Sequence, residues 1–247
     1  MKADPSAQLK LLDVQALDSR ADQLRHQRAN LPEVAEIANL TASRAELNDS
    51  LRDMQIAVDD LTAAQKKADA DVEQVKVRRV RDQDRMDQGL ISNPKDLERM
   101  QHELDSLNRR ISTLEDEELE VMEELEEAQV RLTELQRQIA DVDERLTQLT
   151  AERDRRTAEI EAELATVAAE RGPAVADMPT DLLALYDRLR ESKNGVGAAE
   201  LKARQCGGCR LSIDPSELSQ IKSSPADLVI RCEECQRILV RTAESGL

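Results

Sequence analysis

From Leu97 to Leu149 the apolar residues recur at alternating intervals of three and four. The series is Leu97, Met100, Leu104, Leu107, Ile111, Leu114, Val121, Leu125, Ala128, Leu132, Leu135, Ile139, Val142, Leu146 and Leu149, with Glu118 as its one polar member. A spacing that averages 3.5 residues keeps a single seam on one side of an α-helix, the a/d pattern of a coiled coil. Sustained over more than seven heptads, it demands a partner helix of similar length. At 1.5 Å per residue the stretch is roughly 80 Å long. The composition agrees: Phe and Trp are absent, Tyr186 is the only aromatic residue and 35% of the chain is charged, so no large-ring core is available.

A partner lies upstream. Leu40, Leu47, Leu51, Met54, Val58, Leu61, Ala68, Val72, Val75 and Met86 form a weaker seam, interrupted by Arg44, Gln65, Arg79 and Asp82. Between the two seams lies Gly89-Leu90-Ile91-Ser92-Asn93-Pro94. Gly89 suits a helix C-cap, Asn93 an N-cap and Pro94 a first helical position. The short capped reversal predicts two antiparallel arms, about 32–88 and 94–150, in preference to seams shared between molecules. A further helix over about 5–28, with Leu9, Leu12, Leu17 and Leu24 as its apolar face, matches the remaining stretch 151–171 in length, and the two are expected to pack together. Arg171-Gly172-Pro173 is expected to end the long helix, and Asp177, Pro179 and Thr180 to begin a short one containing Tyr186, whose hydroxyl is expected at the edge of the packing. Gly195 and Gly197 read as a loosened connection. Asp214-Pro215 predicts a short capped helix.

All four cysteines fall near the end of the chain in two pairs, Cys206/Cys209 as C-G-G-C and Cys232/Cys235 as C-E-E-C. Zinc favours four thiolates at tetrahedral corners, and a two-residue spacer lets one turn present two of them. The alternative is a pair of thioredoxin-like redox motifs, which need a helix starting at the first cysteine. Here the flanks read as short strands at 210–213, 227–231 and 237–240, the pattern of a ribbon with two knuckles. Gly207 and Gly208 are candidates for the positive φ that turns backbone N–H groups toward sulfur. A closed four-cysteine set leaves no position for water, which predicts one structural zinc ion. About fifty residues without Trp or Phe are too few for a core of their own, and metal can contribute on the order of 10 kcal/mol of folding free energy. Chelation is therefore expected to melt the chain beyond about Lys202 and spare the helices.

The net charge of −16 disfavours general binding to nucleic acid or acidic membranes, leaving local patches as the only candidates. Lys76, Arg78, Arg79, Arg81, Arg85, Lys95, Arg99, Arg109 and Arg110 flank the reversal. Lys202, Arg204, Arg210, Lys222, Arg231, Arg237 and Arg241 mark the ribbon. Without aromatic platforms any nucleic-acid contact there would be to phosphates. Glu115 to Glu127 holds nine acids and no base, which reads as a solvated face or as a docking face for a basic partner. No apolar run spans a membrane and no leader-like core opens the chain, and thiolate ligands without a leader predict a cytoplasmic protein. No P-loop, H-E-x-x-H or G-x-S-x-G pattern is present, and His26 and His102 lie in helices far from the cysteines. Neither an enzyme nor a small-molecule substrate is expected.

Four segments carry a family resemblance: S-N-P-K-D-L at Ser92 to Leu97, the acidic run at Leu114 to Glu126, L-L-A-L-Y-D-R-L-R at Leu182 to Arg190, and C-G-G-C-R-L-S-I-D followed by R-C-E-E-C-Q-R-I-L-V. Over nearly its whole length the chain resembles the bacterial C4-type zinc-ribbon, coiled-coil hairpin proteins. Gln236 departs from the glycine that this family often places after the last cysteine. The resemblance implies a mainly α fold, a long bent antiparallel coiled-coil hairpin with a small β zinc ribbon, and zinc on Cys206, Cys209, Cys232 and Cys235. It further implies a non-enzymatic role as adaptor or chaperone toward transcription-related proteins, with nucleic-acid binding, and it brings no catalytic residues. The expected organisation is a helical hairpin over 1–175 with its tip near 88–94, a short helix and linker over 176–198, and the ribbon over 199–247.

Overall fold

The computed structural model describes residues 1–247. Three long helices come first: α1 (Pro5–Ala29), α2 (Pro32–Asp87) and α3 (Pro94–Ala176). The short helix α4 (Thr180–Ser192) leads into β1 (Ala198–Lys202) and β2 (Gln205–Cys206). Helix α5 (Pro215–Ser223), β3 (Ile230–Arg231) and β4 (Ile238–Arg241) complete the chain. Two compact units emerge, residues Glu36–Leu149, and Met1–Ala35 with Thr150–Leu247. No helix is long and apolar enough to cross a membrane.

In the first unit α2 and α3 pair within the chain and run antiparallel. Val58, Leu125 and Ala128 are buried against Met54, Leu61 and Leu132, and Val72, Leu104, Leu107, Ile111 and Leu114 are likewise buried. Ion pairs between the helices mark the register: Lys76 with Glu115 at 2.6 Å, Arg78 with Glu103 at 2.6 Å, Arg145 with Glu36 at 2.9 Å, and Arg44 with Asp143. Exposed pairs of this kind add little to stability, but only one antiparallel alignment satisfies them together. Ion pairs also account for two interruptions of the weaker seam, one across the helices and one within α2. Arg44 reaches across to Asp143, and Asp82 is buried with Arg78 and Arg81 each 3.7 Å away. At the reversal Gly89 adopts φ +66°, its N–H donates to Met86 O at 3.0 Å and the Leu90 N–H donates to Arg85 O at 3.2 Å. This is the double hydrogen bond of a Schellman cap. Asn93 Oδ1 then accepts the Lys95 N–H at 3.1 Å, opening α3 at Pro94.

In the second unit α1 serves two cores. Its later half packs Ala21 and Leu24 on Val167 of α3, with Leu17, Ile160 and Leu164 alongside, as the length match predicts. Its first half, with Ala3 just before it, packs Ala7, Leu11 and Val14 against Leu182, Tyr186 and Leu189 of α4 and against Ala198, Ile238 and Val240 of the sheet. That sheet has four strands in the order β2-β1-β4-β3, with β1 parallel to β4 and the other pairings antiparallel.

Three local expectations are corrected. Helix α3 does not stop at Gly172-Pro173 but continues to Ala176 with Pro173 inside it. Pro173 lies in the last turn, where its missing N–H forfeits a single ladder bond. The hydroxyl of Tyr186 is not at an edge: the residue is 0% exposed. The stretch Gly195 to Gly197 is pinned rather than loose. Gln15 donates to Gly195 O at 2.9 Å and its Oε1 accepts the Gly197 N–H at 2.7 Å. A Cβ on Gly197 would lie 2.5 Å from Tyr186 O, so glycine is required for this close approach.

Candidate metal centre

Strand β1 turns into β2 through Ala203 and Arg204, both at positive φ (47° and 62°), with Lys202 opposite Gln205. This two-residue turn matches the natural twist of a hairpin and delivers Cys206 at the end of β2. The next residues form a knuckle: the Arg210 N–H donates to Cys206 O at 2.7 Å and the Cys206 N–H donates to Leu211 O at 3.0 Å. Twenty-six residues after Cys206, at Cys232, the same pattern recurs after β3. The Gln236 N–H donates to Cys232 O at 2.8 Å and the Cys232 N–H donates to Arg237 O at 3.0 Å. The left-handed residues are Arg210 (φ 61°) and Gln236 (φ 64°), one after each second cysteine.

Gly207 and Gly208 therefore do not supply the positive φ expected of them, and their need is steric. A Cβ on Gly207 would lie 3.1 Å from Glu200 O, and one on Gly208 would lie 2.8 Å from Arg237 Cδ. The flanking strands are also shorter than the sequence predicts. Residues 210–213 contribute only a bridge from Ser212 to Gln205, and 227–231 only β3 and a bridge from Leu228 to Lys2. Helix α5 forms as expected, with Asp214 Oδ1 accepting the Ser216 N–H at 2.8 Å and Ile221 buried beside Cys206 and Cys232.

The two knuckles bring all four sulfurs to one point. Cys206 Sγ lies 3.8 Å from Cys235 Sγ and Cys209 Sγ lies 3.9 Å from Cys232 Sγ, and all four sulfurs fall within 4.8 Å of one another. A tetrahedron with metal–sulfur bonds of about 2.3 Å has sulfur–sulfur edges of about 3.8 Å, so the set fits a single zinc ion. The cysteines are free thiols, no helix starts at either pair, and the sulfur set combines both pairs. Each of these features separates the site from a redox C-x-x-C.

Cys206 and Cys232 are fully buried. Without a cation, burial pushes the Cys206 thiol up and the Cys232 thiol to about 12. Burial acts the same way on Cys235, but the Arg237 N–H and guanidinium outweigh it and draw that thiol down to about 7. A dication resolves this conflict, because it stabilises thiolates that an apolar surround alone would keep protonated.

Around the centre, two basic residues of the ribbon turn inward. Arg237 donates to Val196 O and Lys193 O, both at 2.9 Å. Arg241 gathers the carbonyls of Ile221, Ser224, Pro225, Ala226 and Leu228 at 2.7–3.3 Å. Nothing in the local sequence distinguishes these two arginines from the exposed Arg204, Arg210 and Arg231. His26 and His102 are exposed on α1 and α3 and lie apart from the sulfurs. On the hairpin, the acidic run exposes Leu119 (56%) and Met122 (42%).

Residues 14–194 match the CT398-like coiled coil hairpin domain and residues 205–239 match the C4-type zinc ribbon domain. The chain is 34% identical over 241 residues to the uncharacterized protein Rv2229c of Mycobacterium tuberculosis, covering 98% of each. A solved structure from Mycobacterium smegmatis superposes with a TM-score of 0.81 at 34% identity, over 98% of this chain and 100% of the other. CT398 from Chlamydia trachomatis shares the fold at a TM-score of 0.67 and 17% identity, over 96% and 98% of the two chains.

Proposed function

Because the chain belongs to the CT398-like coiled-coil hairpin family and carries a C4-type zinc ribbon, we propose that it is a non-enzymatic adaptor. Its hairpin docks a protein partner, and its ribbon contacts nucleic acid or the transcription machinery. Cys206, Cys209, Cys232 and Cys235 are the zinc ligands in this reading. Four protein thiolates leave no open position, so the ion organises the ribbon and performs no chemistry. Free thiolate ligands call for a reducing compartment, which is the cytoplasm.

The observation that carries the docking half is the pair Leu119 and Met122, held out to solvent in the middle of nine acids. An apolar pair ringed by carboxylates complements a basic amphipathic segment. For the ribbon half, Arg204, Arg210, Lys222 and Arg231 remain exposed, and Arg204 and Lys222 line one groove with Ser212 and Ser219. Contacts there would be to phosphates and would weaken steeply with salt.

Crosslinking mass spectrometry from cells, with and without nuclease, tests the reading. It expects one recurrent protein partner crosslinked to the acidic run of α3, and low-salt retention of RNA or DNA that Cys206→Ser abolishes. The inward turn of Arg237 and Arg241 favours a second reading, a chaperone or scaffold that grips a protein client without nucleic acid. A nuclease-insensitive partner, with no nucleic acid retained at low salt, would select it.

A further inference from the structure

We propose that the groove formed by α1, α3 and α4 is a binding site for a small phosphate-bearing ligand. Four guanidiniums line this cavity of about 590 Å³: Arg25 and Arg28 from α1, Arg171 from α3 and Arg190 from α4. In a chain of net charge −16, that convergence runs against the composition. The one carboxylate in the wall is Asp18, and its oxygens are already occupied. Arg171 donates to them at 2.7 and 3.3 Å and the Tyr186 hydroxyl at 2.8 Å.

The other acids within reach stand outside the wall. Asp22 accepts from Arg25 at 2.8 Å and from Arg190 at 2.5 Å, Glu161 accepts from Arg28 at 3.3 Å, and Asp187 lies 3.5 Å from Arg171. A guanidinium carries five N–H donors, and Arg25, Arg28 and Arg190 each direct only one of them to a carboxylate. The Nε of Arg190 is buried without a hydrogen bond, the carboxylate nearest to it being Asp18 Oδ2 at 3.7 Å. An orphaned buried donor is a standing cost that an added acceptor removes.

The chemistry of the acceptor follows from the forks. Planar guanidiniums bind phosphate oxygens in pairs, and a doubly charged tetrahedral anion can engage several of them at once. The floor is small and apolar, made by Ala21, Leu164 and Ala168. It can take the body of an ester while the arginines hold its phosphate, the division of labour usual in small-molecule sites.

Titration calorimetry of the zinc-loaded full chain with inorganic pyrophosphate tests this. Saturable 1:1 binding at about 150 mM salt is expected, weakened about tenfold or more in Arg28→Gln and in Arg25→Gln. Both substitutions sit on the exposed rim, and circular dichroism checks that the helices persist. Arg155→Gln, an exposed arginine paired within α3 to Glu159, should bind as the parent does. Inorganic phosphate and AMP run in parallel separate the free anion from an ester with a body on the apolar floor. No saturation by about 10 mM pyrophosphate, or equal affinity in parent and both rim variants, overturns the proposal.

Discussion

The Tyr186 hydroxyl donates a 2.8 Å hydrogen bond to Asp18 Oδ2, and both residues are buried. The same carboxylate receives Arg171, so one acid ties α1 to α3 and α4 together. Burial opposes the charge of Asp18, but Arg171, the Tyr186 hydroxyl and Arg190 outweigh it and hold the carboxyl below its usual range. Burial and the adjacent Asp18 in turn raise the Tyr186 phenol above the ordinary tyrosine range.

Removing the hydroxyl should be felt. Tyr186→Phe is expected to lower the stability of the unit containing α1, α4 and the sheet by about 1–3 kcal/mol, read by chemical denaturation, because a bond to a charged acceptor is lost. Asp18→Asn should cost more, about 3–5 kcal/mol, because it leaves Arg171 without its counter-charge.

The same carboxylate sets an acid limit. Its folded pKa is depressed, so its contribution is present above the unfolded value near 3.8 and is lost as pH falls through the folded one. Thermal melts of the parent should therefore drop steeply below about pH 4, and Asp18→Asn should flatten that drop. Equal slopes in the two proteins would contradict the assignment.

Metal removal should reach further than the ribbon. Strands β1 and β4 share a core with α1 and α4, so chelation under reducing conditions should expose β1, α4 and the first half of α1 as well as the knuckles. Residues 36–149 should keep their helical protection. Hydrogen exchange resolves the two regions, and the boundary near Lys202 expected from sequence would reappear only if the sheet came away from α1 intact.

Each knuckle holds a non-glycine residue in a left-handed conformation. Gln236→Gly and Arg210→Gly should each stabilise the zinc-loaded ribbon by up to about 1 kcal/mol, since an L side chain costs about 1–2 kcal/mol there and glycine returns part of that as chain entropy. Gly208→Ala should do the reverse, because its Cβ would fall 2.8 Å from Arg237 Cδ. Competition with a zinc chelator ranks the three variants.

Glu118 breaks the seam of α3 and meets Asp69 of α2. Its carboxyl is raised, first by the hydrogen bond shared with Asp69 and then by desolvation. A raised carboxyl is unfavourable when ionised, so the hairpin should gain stability as pH falls through that pKa. Glu118→Leu should raise the melting temperature at neutral pH and remove that dependence.

The long helices, the cap at Gly89, the N-cap at Asn93 and the cysteine pairs were all legible, because each depends on neighbours within a few residues or on a repeat that a count can detect. Strand β1 was not. Its sequence A-A-E-L-K favours a helix, and it becomes a strand only because β4, some forty residues on, offers a parallel edge. Asp18 gave no signal either, since its partners lie 153 and 168 residues away.

Sequence alone determined that this protein is a paired set of long helices ending in a four-sulfur zinc site, because heptad spacing and thiolate chemistry act over short chain distances. Tertiary structure alone decided that the ribbon shares its core with α1 and α4, that Gly197 and Gly208 are needed for close approach, and that Arg237 and Arg241 turn inward. Those outcomes depend on which surfaces meet across the chain, and contact energies of that kind leave no mark on local composition or periodicity.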